Sequence, residues 1–89
     1  MASPMSADSL ASLALRQPGT VAAIAWDRLA PPEARRLREL GFDKGADVEV
    51  LHRARMGGGP VACRIGRMTV ALRRVVAATI LVTPPHPAE

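Results

Sequence analysis

A histidine and a cysteine on neighbouring predicted strands are the residues that could bind a metal ion. If strands 48–53 and 61–65 pair with their apolar faces together, His52 lies opposite Cys63. A neutral imidazole and a thiolate are ligands that suit Zn²⁺. Two ligands do not complete a site, however, and a cysteine on an apolar strand face packs well as a small hydrophobic residue. His52 and Cys63 are therefore only weak metal candidates.

Catalysis is not expected from the other polar residues. No serine is placed beside a base, and the run Gly57–Gly59 lacks the Lys-Ser/Thr ending of a phosphate-binding loop. The carboxylates of the body fall on predicted turns and exposed positions: Asp27, Glu33, Glu39, Asp43, Asp47 and Glu49. We predict no catalytic residue, and hence that the chain is not an enzyme.

Arginine is the residue type that most favours a binding function. Lys44 is the single lysine among twelve basic residues, and the net charge is +4. Arg35, Arg36 and Arg38 cluster on a predicted helix, and Arg73 directly follows a predicted core strand. A guanidinium binds carboxylates through paired hydrogen bonds, so this set suits an anionic protein surface.

Nucleic acid is the alternative partner for these arginines. Acidic residues are interleaved with the helical arginines, and the chain has one Trp, one Phe and no Tyr. Few aromatic side chains are therefore present on which bases could stack. We predict a protein partner rather than nucleic acid, with a nucleic-acid-binding small barrel as the alternative.

Length and composition place these residues in one small domain. A chain of 89 residues can bury one core, and its single cysteine excludes an internal disulfide. Residues 1–8 are small and polar and residues 84–89 are rich in proline, so we assign two tails and a domain at 9–83. No apolar segment approaches the ~18–20 residues that span a bilayer, which predicts no direct membrane insertion.

Alternating apolar residues predict five short strands. The first, at 20–27, would place Ala22, Ile24 and Trp26 on one face. Gly66-Arg67 suits a two-residue hairpin turn between the third and fourth strands. This turn would put six apolar side chains on one face, by pairing Val61 with Leu72, Cys63 with Val70 and Ile65 with Met68.

The segment PPEARRLREL predicts one short helix after the first strand. Pro32 suits the first helical position, and Gly41 suits the left-handed residue that follows the helix, where Phe42 would fold back on Leu37. Five short strands with so little helix cannot cover both faces of a flat sheet. We therefore predict a mainly β fold in which the strands close into a small barrel.

Four segments, in this order along the chain, resemble the FeoA family, whose members are small partners of the bacterial ferrous-iron transporter FeoB. The segments are LASLALRQPGTVAAI, RRLRELGFDKGADVEVL, GGGPVACRIG and VALRRVVAATILV. Two combinations are the most specific. One is an arginine-rich helix that ends in Leu40-Gly41-Phe42, and the other is the strand end Ala71-Leu72-Arg73 followed by Ala77 and Ile80.

The resemblance implies a barrel similar to SH3 domains and a cytoplasmic accessory role in Fe²⁺ uptake. The implied partner is the cytosolic region of a FeoB-like membrane GTPase transporter. Because barrels of this kind recognise segments with their loops and grooves, we expect the partner to contact the helix, the glycine-rich loop and the strand end. The expected partner-binding residues are Arg35, Arg36, Arg38, Met56, Gly58 and Arg73.

The resemblance leaves metal binding, oligomeric state and a regulatory role open. We expect no cofactor, with Zn²⁺ or Fe²⁺ binding only adventitiously. Exposed strand edges leave weak homo-oligomers open. Similar barrels occur in iron-dependent repressors, so the SH3-like domain of an iron-dependent regulator is a further alternative.

Overall fold

One antiparallel sheet of six strands is the main element of the fold in the computed structural model, which describes residues 8–53 and 59–83. In chain order the elements are β1 (Asp8–Ser9), β2 (Gly19–Ile24), a 3₁₀ turn (Trp26–Arg28), α1 (Pro31–Leu40), β3 (Asp47–Arg53), β4 (Val61–Ile65), β5 (Met68–Leu72), α2 (Arg74–Ala77) and β6 (Ile80–Thr83). The strand order across the sheet is β1-β6-β2-β3-β4-β5. The structure therefore confirms a mainly β fold in which a short helix, α1, lies between the first two predicted strands, and it adds the four-residue helix α2.

The five predicted strands correspond to β2 through β6, and β1 is an additional strand. It consists of two residues, in which Asp8 pairs with Val82 and Ser9 pairs with Leu81. Two residues are too few to produce a visible alternation of apolar side chains, and Asp8 falls in the segment that we assigned to the N-terminal tail. A strand this short is detectable only from its backbone pairing.

A single apolar core lies inside the curved sheet. Each of β2 to β6 contributes buried side chains, as do both helices and the segment after β1. The largest fully buried side chains are Phe42, Leu10, Leu37, Ile80, Val21, Val50, Val61, Val82 and Cys63. Strands that bury side chains in the same cluster must curl around it, as the barrel prediction requires.

The β4–β5 hairpin has the predicted register. Val61 pairs with Leu72, Cys63 with Val70 and Ile65 with Met68. Gly66 has a φ of +61° at the first position of the turn, where the left-handed conformation favours glycine. The predicted common face is only partly buried, because Met68 lies at the exposed tip of the hairpin and is 45% exposed.

The predicted face of β2 is only partly confirmed. Ile24 and Trp26 pack partly buried against the core, but Val21 is the fully buried apolar residue of the strand, and Trp26 begins the 3₁₀ turn instead of continuing the strand. The pairing of β2 with β6 shifts register between Val21 and Ala23. Such a bulge adds one residue to a strand, so the alternation on one side of it no longer predicts the other side.

Helix α1 consists of the predicted segment PPEARRLREL. Pro31, rather than Pro32, occupies the first helical position. At the other end Gly41 has a φ of +99°, and the Phe42 N–H donates to the Leu37 carbonyl across 3.0 Å. Leu37 and Phe42 are both buried in the core, which fixes α1 against the sheet.

Candidate partner-binding site

A cavity of about 270 Å³ opens between α1, the end of β5 and α2. Its floor is apolar and comes from Leu37, Leu72 and Val76, each of which is also part of the core. Charged side chains line its rim, and they come from elements far apart in the chain: Glu33 and Arg36 from α1, and Arg73 from the segment after β5. The structure thus brings Arg36 and Arg73 of the predicted set to one site.

Arg73 is held at this rim by an ion pair. Its Nη1 donates to Glu33 Oε2 across 2.7 Å, and the Arg73 side chain is 72% exposed. An ion pair this exposed stabilises a protein by less than about 1 kcal/mol, so it orients Arg73 more than it stabilises the fold. Among the described ion pairs none involves Arg36, whose charge is therefore open to a partner.

Arg38 lies in a different environment from Arg36. Its guanidinium carbon is 4.4 Å from the centroid of the Trp26 ring, a cation–π contact between α1 and the 3₁₀ turn. Arg35 is exposed and does not line the cavity. Of the three helical arginines, only Arg36 therefore lines the cavity, and Arg38 contacts Trp26 instead.

Two of the predicted binding residues, Met56 and Gly58, lie outside the described part of the chain. Next to that segment, Pro60 lines a second, open cavity of about 440 Å³ together with Arg73, Arg74 and Val75. Val75 is an apolar side chain that is 61% exposed. Arg73 therefore stands between two concave surfaces.

The predicted apposition of His52 and Cys63 is wrong. The pairing of β3 with β4 shifts register between Val50 and His52, so Val50 lies opposite Cys63 and His52 lies opposite Ala62. The extra residue, Leu51, turns His52 to the outer face, where it is exposed. Cys63 is fully buried on the other face, so the two side chains cannot form a joint site.

Burial also changes the acidity of the Cys63 thiol. Desolvation raises its pKa from 9.0 to about 11, which keeps the thiol protonated at neutral pH. Metals bind the thiolate, so this cysteine is a poor ligand where it lies. Within residues 8–53 and 59–83, no three His, Cys, Asp or Glu side chains are grouped so that they could hold a metal ion.

The apolar floor of the cavity could not be predicted from the sequence. Leu72 and Val76 flank the turn that carries Arg73, and the sequence shows that both are apolar. The contact between this turn and α1 could not be predicted, because Glu33 and Arg73 are 40 residues apart in the chain.

In the described part of the chain, no helix is both long and apolar enough to cross a membrane.

A family model of the FeoA domain matches residues 9–84, which cover almost all of the described sheet. The chain belongs to the FeoA family. This assignment confirms the resemblance found in the sequence and links the chain to ferrous iron transport. No match is found among curated proteins.

Solved FeoA structures have the same fold. Stenotrophomonas maltophilia FeoA, described as a prokaryotic SH3 domain protein in complex with zinc, is 34% identical over 83% of this chain and 87% of its own, with a TM-score of 0.71. Chlorobium tepidum FeoA is 30% identical, with a TM-score of 0.76 over 91% of this chain and 73% of its own. The predicted SH3-like fold is confirmed.

A regulator also shares this fold. A manganese-dependent transcriptional repressor is 25% identical to the chain, with a TM-score of 0.79 over 96% of this chain. The similarity covers 45% of the repressor's own length. A shared fold does not by itself transfer a function, and more than half of the repressor has no counterpart in this chain.

Proposed function

We propose that this FeoA-family protein is a non-enzymatic, cytoplasmic accessory of ferrous-iron uptake that docks on the cytosolic region of a FeoB-like membrane GTPase transporter. The observation that carries the proposal is the cavity between α1, β5 and α2, with its apolar floor and its arginine rim. Family membership supplies the link to iron uptake, and the cavity supplies a surface suited to a protein partner.

The size of the cavity favours a protein segment over a small molecule. Small-molecule sites usually have volumes of roughly 300–1,000 Å³. At about 270 Å³ and open to solvent, this cavity falls below that range and suits one or two side chains of a partner. Its floor of Leu37, Leu72 and Val76 would bury an apolar side chain on contact.

The rim charges favour an acidic partner. Arg36 has no ion pair among the described residues, and Arg73 shares its charge with Glu33 alone. A carboxylate next to the apolar side chain of the partner would be met by a planar guanidinium. We therefore propose Arg36 and Arg73 as the centre of the docking surface and Arg35 as a peripheral contact, while Met56 and Gly58 stay predicted contacts that lie outside the described residues.

Binding of the purified protein to the cytosolic region of the FeoB-like transporter from the same genome tests the proposal. We expect saturable binding that weakens as salt rises, and that weakens further for Arg36→Glu. Arg28→Glu is the matched control, since Arg28 is exposed, undergoes the same charge change and does not line the cavity.

Two results would overturn the proposed function. One is a wild-type protein that does not bind the transporter region at any salt concentration. The other is binding to duplex DNA or RNA under conditions in which the transporter region does not bind, which would favour a nucleic-acid-binding barrel. Thermal unfolding of each variant verifies that a loss of binding is not a loss of folding.

A further inference from the structure

Strand β5 lies at one edge of the sheet and pairs only with β4 among the described strands. In a two-residue hairpin the residues that flank the turn, here Ile65 and Met68, form a hydrogen-bonded pair, and such pairs then alternate. On the other side of β4, the Gly66 N–H donates to the Asp47 carbonyl of β3, as this alternation requires. The backbone N–H and C=O groups of Thr69 and Ala71 therefore point away from β4.

Among the described residues, these outward backbone groups are left available to a further strand. No backbone group in the described residues hydrogen-bonds to Thr69 or Ala71 from outside the sheet, and both side chains are exposed. Natural edge strands are usually protected by lysine, proline, a bulge or very short length. The sequence MTVAL of β5 contains neither charge nor proline, and its pairing with β4 runs through five residues without a register shift.

The opposite edge of the sheet is different. Strand β1 is only two residues long, which leaves little backbone for pairing. An edge that is long, regular and uncharged, in a sheet whose other edge is short, is the kind of edge to which extended peptides add as a further strand. The two edges therefore differ in their capacity for strand addition.

The outer edge of β5 leads into the docking cavity. Ala71 belongs to both, since its backbone faces the edge and it also lines the cavity. Side chains opposite one another on neighbouring strands point to the same face. A residue placed opposite Leu72 by an added strand would therefore point towards the cavity floor, beside Arg36 and Arg73.

We propose that the β5 edge receives an extended segment of an acidic protein partner. The segment hydrogen-bonds to Thr69 and Ala71, places one apolar side chain in the cavity and brings a carboxylate to Arg36. This inference rests on the proposed function, because it specifies how the transporter's cytosolic region would bind. It adds the mode of recognition, which is strand addition.

Charge distinguishes this partner from a second copy of the chain. Arg67 precedes β5 and Arg73 follows it, and β5 itself has no acidic residue. Antiparallel pairing of two β5 strands would bring Arg67 of one copy near Arg73 of the other, and like charges across a strand pair are destabilising. An acidic segment would instead be attracted to both ends of the strand.

Amide hydrogen exchange of the full-length, ¹⁵N-labelled protein tests the inference, with the cytosolic region of the transporter as the probe. We expect exchange at Thr69 and Ala71 to slow by about tenfold or more at saturation, as new backbone hydrogen bonds form. Amides within the β4–β5 ladder, such as that of Val70, are protected without the probe and serve as the internal reference.

A pair of variants at one position tests the same hydrogen bond. Thr69→Pro removes an outward N–H that the β4 ladder does not use, whereas Thr69→Val keeps that N–H and also changes the side chain. We expect Thr69→Pro to bind the transporter region about tenfold more weakly than Thr69→Val. Should Thr69→Pro not fold, the wild-type exchange measurement decides.

The outcomes separate the two proposals. If the transporter region binds while Thr69 and Ala71 exchange at their free rates, strand addition is overturned and the proposed function stands. If the transporter region does not bind, both are overturned. If these two amides become protected with rising protein concentration and no probe, a second copy occupies the edge, and the acidic-partner assignment is overturned.

Discussion

Arg73 Nη1 donates to Glu33 Oε2 across 2.7 Å, which joins the segment after β5 to the first turn of α1. We expect Glu33→Gln to weaken this pairing and to free Arg73 for a partner. Affinity for the transporter's cytosolic region should therefore rise, while stability to urea falls by less than about 1 kcal/mol, because the pair is exposed. Titration calorimetry and urea unfolding measure the two effects, and a fall in affinity would contradict this view of the rim.

The contact between Arg38 and Trp26 predicts a structural role for Arg38. We expect Arg38→Ala to lower the unfolding free energy by about 0.5–1 kcal/mol through loss of the cation–π contact, and to leave transporter binding within about twofold. Trp26 is the single tryptophan, so its fluorescence reports the change directly. Arg35→Ala is the matched control on the same helix. An unchanged emission spectrum in Arg38→Ala would show that the contact does not persist in solution.

Burial of Cys63 predicts a loss of stability at alkaline pH. Its folded-state pKa of about 11 exceeds the usual 9.0, so the folded protein retains a proton that the unfolded chain releases. The contribution of the protonated Cys63 thiol to the free energy of unfolding is complete below pH 9 and is lost as pH rises from 9 to 11. Between pH 8 and pH 10 we expect the loss to be about 1–1.5 kcal/mol.

The control for this pH effect is Cys63→Ala, which has no group that titrates at this position. The variant is less stable at pH 8 because it leaves a small cavity, but the difference from the wild type should narrow by pH 10. Urea unfolding at both pH values measures this difference. Parallel pH profiles for the two proteins would show that Cys63 does not contribute.

Gly19, at the start of β2, lies so close to β6 that there is no room for a side chain. A Cβ atom at this position would meet the side chain of Val82 and lie 2.9 Å from the backbone oxygen of Thr83. We expect Gly19→Ala to destabilise the protein by about 1–3 kcal/mol, because β6 must shift away. At Gly66 the added Cβ meets no atom within 4 Å, so Gly66→Ala has only the cost of its positive φ, about 1 kcal/mol. Equal thermal midpoints for the wild type and Gly19→Ala would contradict the close approach.

Local signals account for the parts of the fold that could be predicted from the sequence. Gly66 fixes the turn, and the turn fixes the register of Val61 to Leu72, so the hairpin follows from a few neighbouring residues. The end of α1 follows in the same way from Gly41 and Phe42. Each signal acts within a few residues of its effect.

The two bulges show why other faces were predicted wrongly. One extra residue near Ala22 and another at Leu51 change which side chains point inward, and nothing in the neighbouring residue types marks either position. The candidate site depends on contacts at still longer range. Arg36 and Arg73 were predicted to bind a partner, but the cavity that they line forms only when α1 packs beside the end of β5, which is a tertiary contact.

The place of β6 in the sheet affects how the protein is made. Strand β6 lies between β1 and β2, and its residues Ile80 and Val82 are fully buried. During synthesis the two earlier strands emerge from the ribosome long before the strand that joins them. The complete sheet therefore forms only after β6 has been synthesised, and until then the core lacks the side chains of Ile80 and Val82.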